Sequence, residues 1–269
     1  MSTDEEWERW GARDPYFGVL THEKYRRGNL SDAHRQEFLE SGRLHAEYVL
    51  GLVRTHVLAG FQPRRVLDFG CGVGRVLIPF AQLADEAVGV DVSPSMRAEA
   101  ARNCSSAGVH NVQLVASDDE LTQVQGQFDL VHSCIVLQHI ELARGRALFC
   151  RLVERIRPGG VGALHVTFGW NAFPERFGQP PAPPPPQARS RLRQLLSRVK
   201  TAIVPPPPPP SGAAPDGDPE MQMNFYNLSE LMFVLREAGV ERVHVELTDH
   251  GGAYGAFLLF RCAGPHAAN

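Results

Sequence analysis

The stretch VLDFGCGVGRVLIPFA, from Val66 to Ala81, decides the fold of this chain. Its first residues form an apolar run typical of a buried strand, and its later residues have the spacing of a helix. Asp68, Gly70, Gly72 and Gly74 form the pattern D-x-G-x-G-x-G where the strand gives way to the helix. Glycine permits a tight turn and lets a ligand approach backbone that a Cβ would shield. The stretch therefore predicts a ligand-binding turn at the edge of a sheet.

The spacing of these glycines argues against a dinucleotide site. The pyrophosphate-binding pattern is G-x-G-x-x-G, whereas here the third glycine comes one residue earlier. In addition, Asp68 stands two residues before Gly70. A carboxylate at that position repels a pyrophosphate but accepts hydrogen bonds from a cationic, amine-bearing ligand. We therefore reject a nicotinamide-dependent dehydrogenase and expect a ligand that carries an amino group.

Short apolar segments alternate with helical segments along the chain on both sides of the predicted turn. Such strands, buried on both faces, indicate a parallel sheet covered by helices. The last two strands are joined only by the turn HGG, which makes one of them antiparallel. The predicted fold class is α/β, with a doubly wound sheet of seven strands that are mostly parallel and include one antiparallel strand. The predicted strands are 65–69, 87–91, 112–115, 128–132, 162–168, 241–248 and 253–261, and the predicted helices are 75–84, 94–105, 142–157 and 228–238.

Residues 1–60 precede the first strand and are predicted to form an N-terminal helical cap over the ligand edge of the sheet. Ser41 is predicted to be the N-cap of a helix that leads into the first strand. Upstream of it the sequence is rich in aromatic and polar residues and weakly periodic. Residues of the cap that we consider for an acceptor pocket, with packing in the core of the cap as the alternative, are Tyr16, Phe17, Tyr25 and His45.

Prolines are concentrated in one region of the chain, since fifteen of the 21 lie between residues 170 and 222. Because proline runs cannot join a sheet or a helix interior, 170–222 is predicted to be an insertion between core segments 61–169 and 223–263. Within it, residues 187–204 carry apolar positions at helical spacing, several arginines and no acid, which predicts a basic amphipathic helix. Three roles stay open: contact with an anionic membrane or an acidic partner, a lid over the acceptor, and an insertion without a role.

Acidic residues also follow the second and third predicted strands. Asp91 lies 23 residues beyond Asp68, where an acid at a strand end accepts the hydroxyls of a ribose. After the third strand, Asp118 or Asp119 would accept an exocyclic amine such as that of adenine. Three acids at one edge of the sheet describe a site for an adenosine that bears an amino-acid tail.

These motifs, together with FDLVHSCIVLQHI (residues 128–140) and RIRPGG (155–160), resemble the class I S-adenosylmethionine-dependent methyltransferases of small-molecule type. The likeness runs from about residue 64 to 168 and again from 226 to 261. It implies S-adenosylmethionine as the cofactor. By position, Asp68 and the backbone of Gly70–Gly72 would hold the methionine amino group, and Asp91 would hold the ribose.

The same resemblance implies the remaining contacts to the cofactor. Val92 would lie against the adenine, Asp118 would reach the adenine amine, and Ser133 would line the methionine tail. The complete set of implied cofactor residues is Asp68, Gly70, Cys71, Gly72, Asp91, Val92, Asp118, Asp119 and Ser133.

His139, in the segment VLQHI, is the candidate catalytic residue. A neutral imidazole near the methyl group would deprotonate a hydroxyl during attack, and the alternative is that it caps or packs. Gln138, beside it, is a candidate for contact with the acceptor. His132 and His165 lie within apolar strands, and we interpret them as core histidines. No set of His, Cys and carboxylates has the spacing of metal ligands, so we expect no catalytic metal.

We expect in-line transfer of a methyl group to a small-molecule acceptor, with O-methylation of a saccharide or secondary metabolite preferred. N-methylation, methylation of a peptide or protein, and a non-catalytic adapter that keeps the fold are the alternatives. The net charge of −3 gives no basic field for nucleic acid. An N-terminus without an apolar stretch and five scattered cysteines predict a cytoplasmic protein. The sequence does not predict the oligomeric state.

Overall fold

Seven strands form one sheet in residues 2–182 and 217–263, the part of the chain that this computed structural model describes. The strands are β1 Arg65–Phe69, β2 Glu86–Asp91, β3 Val112–Ala116, β4 Phe128–Ser133, β5 Ile156–Trp170, β6 Val243–His250 and β7 Ala253–Arg261. Their order across the sheet is β3-β2-β1-β4-β5-β7-β6. Strand β7 pairs antiparallel with both β5 and β6, whereas the other pairs are parallel. The predicted seven-stranded sheet with one antiparallel strand is confirmed.

Helices cover both faces of this sheet. They are α1 Thr3–Arg13, α2 Pro15–Val19, α3 Asp32–His56, α4 Leu77–Leu83, α5 Pro94–Ser106, α6 Leu142–Glu154 and α7 Leu228–Glu237, with short 3₁₀ turns at Glu23–Tyr25, Leu137–His139 and Pro174–Arg176. Apolar side chains of α6 and α7 pack on one face, and those of α3 and α4 pack on the other. The central strand β4 is buried along its whole length, as a strand covered on both faces must be. No helix among the described residues is long and apolar enough to cross a membrane.

The long helix α3 begins ten residues earlier than the sequence predicted. Its N-cap is Ser31, whose hydroxyl oxygen accepts a hydrogen bond from the backbone N–H of His34 at 3.2 Å. The prediction of Ser41 as the N-cap is therefore wrong. Ser41 lies inside the helix, where its hydroxyl donates to the Phe38 carbonyl at 2.6 Å, a bond that lets serine occupy a helix interior. The buried stripe of α3 already includes Phe38, so packing extends the helix upstream.

Gly42 brings α3 close to the turn after β1, and we expect Gly42→Ala to destabilise the protein. A Cβ at this position would lie 1.9 Å from the carbonyl oxygen of Arg75, which is backbone and cannot move aside cheaply. Forced overpacking of this kind costs about 1–3 kcal/mol, more than the roughly 1 kcal/mol that alanine gains in helix propensity. A lower urea midpoint of unfolding at an unchanged slope would show this loss.

Gly51 provides the matched control because it lies on the same helix, exposed and with nothing within 4 Å of its Cβ position. We expect Gly51→Ala to stabilise the protein by about 0.5–1 kcal/mol. Equal changes in the two variants would show that α3 does not press on the turn.

The cap is fastened to the core through the N-terminal end of α5. Glu8 of α1 accepts hydrogen bonds from the hydroxyls of Ser93 and Ser95, both at 2.6 Å, and from the backbone N–H of Ser95 at 3.1 Å. A carboxylate there also interacts favourably with the positive end of the helix. Burial is the largest single influence on the pKa of Glu8 and raises it. The hydrogen bonds from Ser93 and Ser95 together outweigh burial, so the pKa lies below its usual value. The cap is thus attached beside Asp91, which ends β2.

Residues 217–223, which we call the strap, return along this cap from the predicted insertion. Asp218 pairs with Arg13 at 2.9 Å and with Arg26 at 2.5 Å. The backbone N–H of Glu220 donates to the carboxylate of Glu6 at 3.0 Å. The predicted basic helix, 187–204, lies outside the described residues, and the proposed division at 170–222 stays a prediction. The strap shows that the downstream end of that region packs on the cap.

Candidate functional site

A cavity of about 360 Å³ opens at the carboxyl ends of β1, β2 and β4. The chain leaves β1 toward β2 on one side and reaches β4 on the other, so the cavity lies where the strand order reverses. Open α/β sheets bind ligands at such a point. The cap and the strap close the cavity from above, since Trp7, Val19, Met221 and Met223 belong to its lining.

The predicted glycine turn forms the floor of the cavity. Gly70, Gly72 and Gly74 all have positive φ, at 72°, 51° and 85°. A Cβ at Gly70 would lie 2.2 Å from the side chain of Val136, and one at Gly72 would lie 2.7 Å from Val19. Gly70 and Gly72 are required to be glycine for two reasons. Their backbone conformation favours glycine, and Val136, in the loop after β4, and Val19 of the cap approach them closely.

Asp91 lines the cavity with its carboxylate held by backbone. One carboxylate oxygen accepts a hydrogen bond from the N–H of Gly72, and the other accepts one from the N–H of Ser93, both at 2.9 Å. Burial raises the pKa of Asp91 to about 6, although the two backbone N–H groups oppose the shift. A carboxylate fixed in this way presents its remaining lone pairs in a set direction, which suits the two hydroxyls of a ribose.

Asp68 also lines the cavity, and its partner is a histidine of the neighbouring strand. An oxygen of Asp68 lies 2.7 Å from Nδ1 of His132, and these two residues are 3% and 1% exposed. His132 lines the cavity as well, so its interpretation as a core histidine is incomplete. His165 fits that interpretation, because it is buried and its Nε2 lies 2.9 Å from the hydroxyl oxygen of Thr248.

Asp118 and Asp119, which were predicted to lie beside the adenine amine, do not belong to the lining of the cavity. The carboxylate of Asp118 accepts hydrogen bonds from the backbone N–H groups of Glu120 and Thr122, at 3.0 and 2.9 Å, and from the Thr122 hydroxyl. Asp119 pairs with Arg144 at 2.6 Å. Both acids are therefore engaged by nearby groups, and Ser117 is the lining residue from this loop.

At the end of β4, the residues before and after Ser133 line the cavity. Successive side chains of a strand point to opposite faces, so His132 and Cys134 line the cavity while Ser133 is fully buried outside the lining. The contact between Ser133 and the methionine tail stays a prediction, and its two neighbours are the residues that line the cavity. Cys71 and Val92 line the cavity as predicted. Burial, the largest cause, raises the pKa of the Cys71 thiol, which makes it a packed rather than a reactive group.

The aromatic residues proposed for the acceptor pocket form the core of the cap instead. Tyr16, Phe17 and Tyr25 are buried together and do not line the cavity. The Tyr16 hydroxyl lies 2.8 Å from an oxygen of Glu99 and the same distance from the side-chain oxygen of Asn103. His45 is outside the lining too, but its Nε2 lies 3.2 Å from Nε2 of His132.

His139 lines the cavity and its ring is oriented on both sides. Its Nδ1 lies 2.7 Å from the carbonyl oxygen of Gln222, so Nδ1 carries the proton and Nε2 is unprotonated. The side-chain nitrogen of Gln138 donates weakly to that Nε2 at 3.4 Å. Burial lowers the pKa of His139 to about 4, so the ring is neutral at pH 7. Trp7 packs edge-on against it with ring centroids 4.9 Å apart.

A network from the core supports the turn that carries His139. The hydroxyl of Tyr226 lies 2.9 Å from the Leu137 carbonyl oxygen and 3.0 Å from that of Ile140. Gln138, which lines the cavity as predicted, accepts a hydrogen bond from the Thr167 hydroxyl. The turn that carries His139 is therefore held in place by side chains from two parts of the core.

The positive charge of Arg144, which lines the same cavity as His139, is balanced by two acidic partners. Arg144 lines the cavity, but it pairs with Asp4 at 2.7 Å and with Asp119 at 2.6 Å. The described residues contain no group of three or more His, Cys, Asp and Glu that could hold a metal ion. The cap and the strap also contribute apolar residues to the lining of the cavity, at positions for which the sequence carried no signal: Trp7, Val19, Met221 and Met223.

Residues 66–160 match a family model described as a methyltransferase domain. A 23S rRNA (uracil-C5)-methyltransferase of Marinomonas posidonica is 34% identical over 127 residues, which cover 44% of this chain and 28% of that protein. An uncharacterized methyltransferase of Synechocystis sp. is 32% identical, over 41% of this chain and 52% of its own length. A ubiquinone biosynthesis O-methyltransferase of Cereibacter sphaeroides is 30% identical, over 44% and 45%. The matches thus span about half or less of these curated relatives.

Two solved structures share the fold. Magnesium protoporphyrin IX methyltransferase from Synechocystis PCC 6803, with bound SAH, has a TM-score of 0.60 at 17% identity and covers 97% of this chain and 100% of its own. The N-methyltransferase NodS from Bradyrhizobium japonicum WM9, also with SAH, has a TM-score of 0.55 at 14% identity and covers 99% and 100%. At these identities the likeness shows the fold alone.

Proposed function

We propose that this chain, whose residues 66–160 form a class I methyltransferase domain, uses S-adenosylmethionine to methylate a hydroxyl group of a small, largely apolar molecule. One observation carries the proposal. A single cavity joins the wall of Asp68 and Asp91 to the unprotonated Nε2 of His139. The two walls supply what the transfer needs, which is a fixed methyl donor and an aligned acceptor.

The part of the cavity lined by Asp68, Asp91 and the glycine turn, which we call the core wall, fits the cofactor. Asp91 would accept hydrogen bonds from both ribose hydroxyls, and Asp68 would accept from the amino group. The backbone of the glycine turn lines the cavity at Gly70, Cys71 and Gly72 and would lie against the methionine part of the cofactor. Val92 and Ser117 line the cavity beyond Asp91 and would flank the adenine. When bound, the sulfonium supplies a methyl group attached to a good leaving group.

The part of the cavity lined by His139, Trp7, Met221 and Met223, which we call the acceptor wall, favours an alcohol or phenol as the acceptor. Because Nδ1 of His139 donates to a backbone carbonyl, Nε2 is oriented to accept the proton of an acceptor hydroxyl as the oxygen attacks. An amine acceptor would gain more from a free carboxylate, and the nearest cap carboxylate, Asp4, is paired with Arg144. The apolar surfaces of Trp7, Met221 and Met223 favour a secondary metabolite over a saccharide, whose many hydroxyls need polar partners.

The alternatives differ in what the cavity would admit. A peptide or protein acceptor has to reach His139 past the strap, which Asp218 ties to the cap through Arg13 and Arg26. It also has to pass the cap, which Glu8 ties to the core by hydrogen bonds. N-methylation does not use the oriented Nε2. A non-catalytic adapter needs neither an unprotonated Nε2 nor a cavity beside it, so the cavity favours the enzyme over the adapter.

Calorimetric titration with S-adenosylmethionine and S-adenosylhomocysteine tests the proposal first. We expect one equivalent of each to bind, followed by release of S-adenosylhomocysteine when phenols or apolar alcohols are supplied with S-adenosylmethionine. Amines, saccharides, peptides and a ribosomal RNA fragment serve as comparison acceptors. A folded sample that binds neither adenosine ligand contradicts the proposal, and faster turnover with amines contradicts O-methylation alone.

The affinity for S-adenosylhomocysteine should depend on pH through Asp91. Burial gives this carboxyl a pKa of about 6 in the free protein. The ribose hydroxyls donate to the ionised form, so affinity is fully present above pH 6 and is lost as the pH falls through it. We expect binding to be about tenfold weaker at pH 5 than at pH 7. Titrations of the unchanged protein and of Asp91→Asn over this range measure the effect, and an equal decline in the Asn variant would assign it to another group.

A further inference from the structure

A chain of imidazoles leads from Asp68 away from the cavity and into the cap. Asp68 lies on β1, His132 lies beside it on β4, and His45 lies on α3 of the cap. The first contact joins an Asp68 oxygen to His132 Nδ1 at 2.7 Å, and the second joins the Nε2 atoms of His132 and His45 at 3.2 Å. Three separate elements of the fold thus meet through side-chain hydrogen bonds behind one carboxylate.

Chemistry fixes the direction of the bond to Asp68. An ionised carboxylate only accepts, so Nδ1 of His132 carries a proton and donates to Asp68. Burial, the largest cause, lowers the pKa of His45 to about 2, so that ring is neutral. The two Nε2 atoms share one proton in the second contact, so one ring donates to the other. Each nitrogen of His132 is then engaged, and the ring cannot turn over without breaking both bonds.

We propose that His132 and His45 are positioning residues for the amino group of the cofactor. Within residues 2–182 and 217–263, His132 supplies the one hydrogen bond that the carboxylate of Asp68 accepts. By holding one oxygen, His132 leaves the other oxygen for an ammonium group in the cavity. His45 acts through His132 by fixing its ring. This inference rests on the proposed function, because it assigns the amino group of S-adenosylmethionine to Asp68.

Arg75 explains why Asp68 needs to be held. Its guanidinium lines the same cavity and is close enough to attract the Asp68 carboxylate. Without the bond from His132, the carboxylate is free to rotate toward this cation and away from the ligand. The hydrogen bond from His132 stabilises one rotamer of the carboxylate, in which the second oxygen stays available to the ligand. The ring of His132 is itself packed between Phe80 and Phe257.

The test compares two ligands on His132→Phe, which keeps an aromatic ring between Phe80 and Phe257. S-adenosylhomocysteine carries the amino group, whereas 5′-methylthioadenosine has the same adenosine and thioether without the amino-acid tail. We expect the variant to bind S-adenosylhomocysteine about tenfold more weakly and 5′-methylthioadenosine with unchanged affinity. His165→Phe is the matched control, since His165 is a buried imidazole bonded to Thr248. Both ligands should bind that variant normally.

Two further variants separate positioning from folding. His132→Asn places a side-chain N–H near the position of Nδ1 and should recover most of the affinity for S-adenosylhomocysteine. His45→Phe should weaken S-adenosylhomocysteine alone, by a smaller factor than His132→Phe. Equal losses for the two ligands in these variants, or no loss for S-adenosylhomocysteine, would overturn the positioning role while the proposed function stands. If the unchanged protein binds neither ligand, the proposed function fails and this inference fails with it.

Discussion

Asp91→Ala is expected to weaken binding of S-adenosylhomocysteine by at least about a hundredfold. The side chain would accept two hydrogen bonds from the ribose, each a charge-assisted bond worth about 1.5–3 kcal/mol. Losing both costs about 3–6 kcal/mol, or two to four powers of ten in affinity. The carboxylate also accepts the N–H groups of Gly72 and Ser93, so its removal loosens the glycine turn as well. Calorimetry at pH 7.5 measures the loss.

Asp118→Ala is the informative control for that measurement. The sequence predicts that Asp118 binds the adenine amine, whereas the structure places its carboxylate on Thr122 and outside the cavity lining. We expect the affinity of this variant to lie within about twofold of the unchanged protein, because surface substitutions rarely cost more than a few tenths of a kcal/mol. A loss comparable to that of Asp91→Ala would show that the loop after β3 turns inward when the ligand binds.

His139→Phe is expected to lower kcat by about a hundredfold or more while leaving cofactor affinity unchanged. Proton transfer by a positioned base contributes about two to four powers of ten to a rate, and phenylalanine keeps the ring contact with Trp7 while removing that base. With a pKa of about 4, His139 is neutral from pH 5 to 8, so its protonation does not limit the rate in this range. Steady-state rates with a hydroxyl acceptor, together with the dissociation constant of S-adenosylhomocysteine, measure both quantities.

The same variant distinguishes the type of acceptor. An acceptor that is already a strong nucleophile, such as an amine, loses little when the base is removed. A fall in kcat below about threefold would therefore show that His139 packs against Trp7 without acting as a base, which is the alternative the sequence left open. A parallel loss of cofactor affinity would assign His139 to the shape of the cavity.

Local patterns predicted the sheet and the core wall of the site. The strand at Ala253–Arg261 was predicted to the residue, because a run of apolar residues bounded by a glycine turn needs no distant information. Local patterns also predicted that one site contains Asp68, the glycine turn and Asp91, because the carboxyl ends of adjacent parallel strands meet at one edge of a sheet. Sequence order alone placed these groups together.

The acceptor wall could not be predicted because it depends on side-chain direction and distant packing. Asp118 is turned by Thr122 and Asp119 by Arg144, and a pattern of acids carries no information about either choice. Trp7 precedes His139 by more than a hundred residues and reaches it because distant contacts hold α1 on the core, through Glu8 on α5 and Asp4 on α6. The start of α3 was misplaced for a related reason, since packing of Phe38 extends the helix beyond Ser41.

The strap has a consequence for redesign of the protein. Met221 and Met223 line the cavity, yet they belong to neither the sheet nor the glycine turn, and Asp218 anchors the strap that carries them to the cap. The proposed function therefore assigns capture of the cofactor and choice of the acceptor to separate parts of the chain. Libraries that vary the two methionines are expected to change the acceptor while Asp68, Asp91 and the glycine turn stay intact, which would make the protein a modular starting point for selective alkylation.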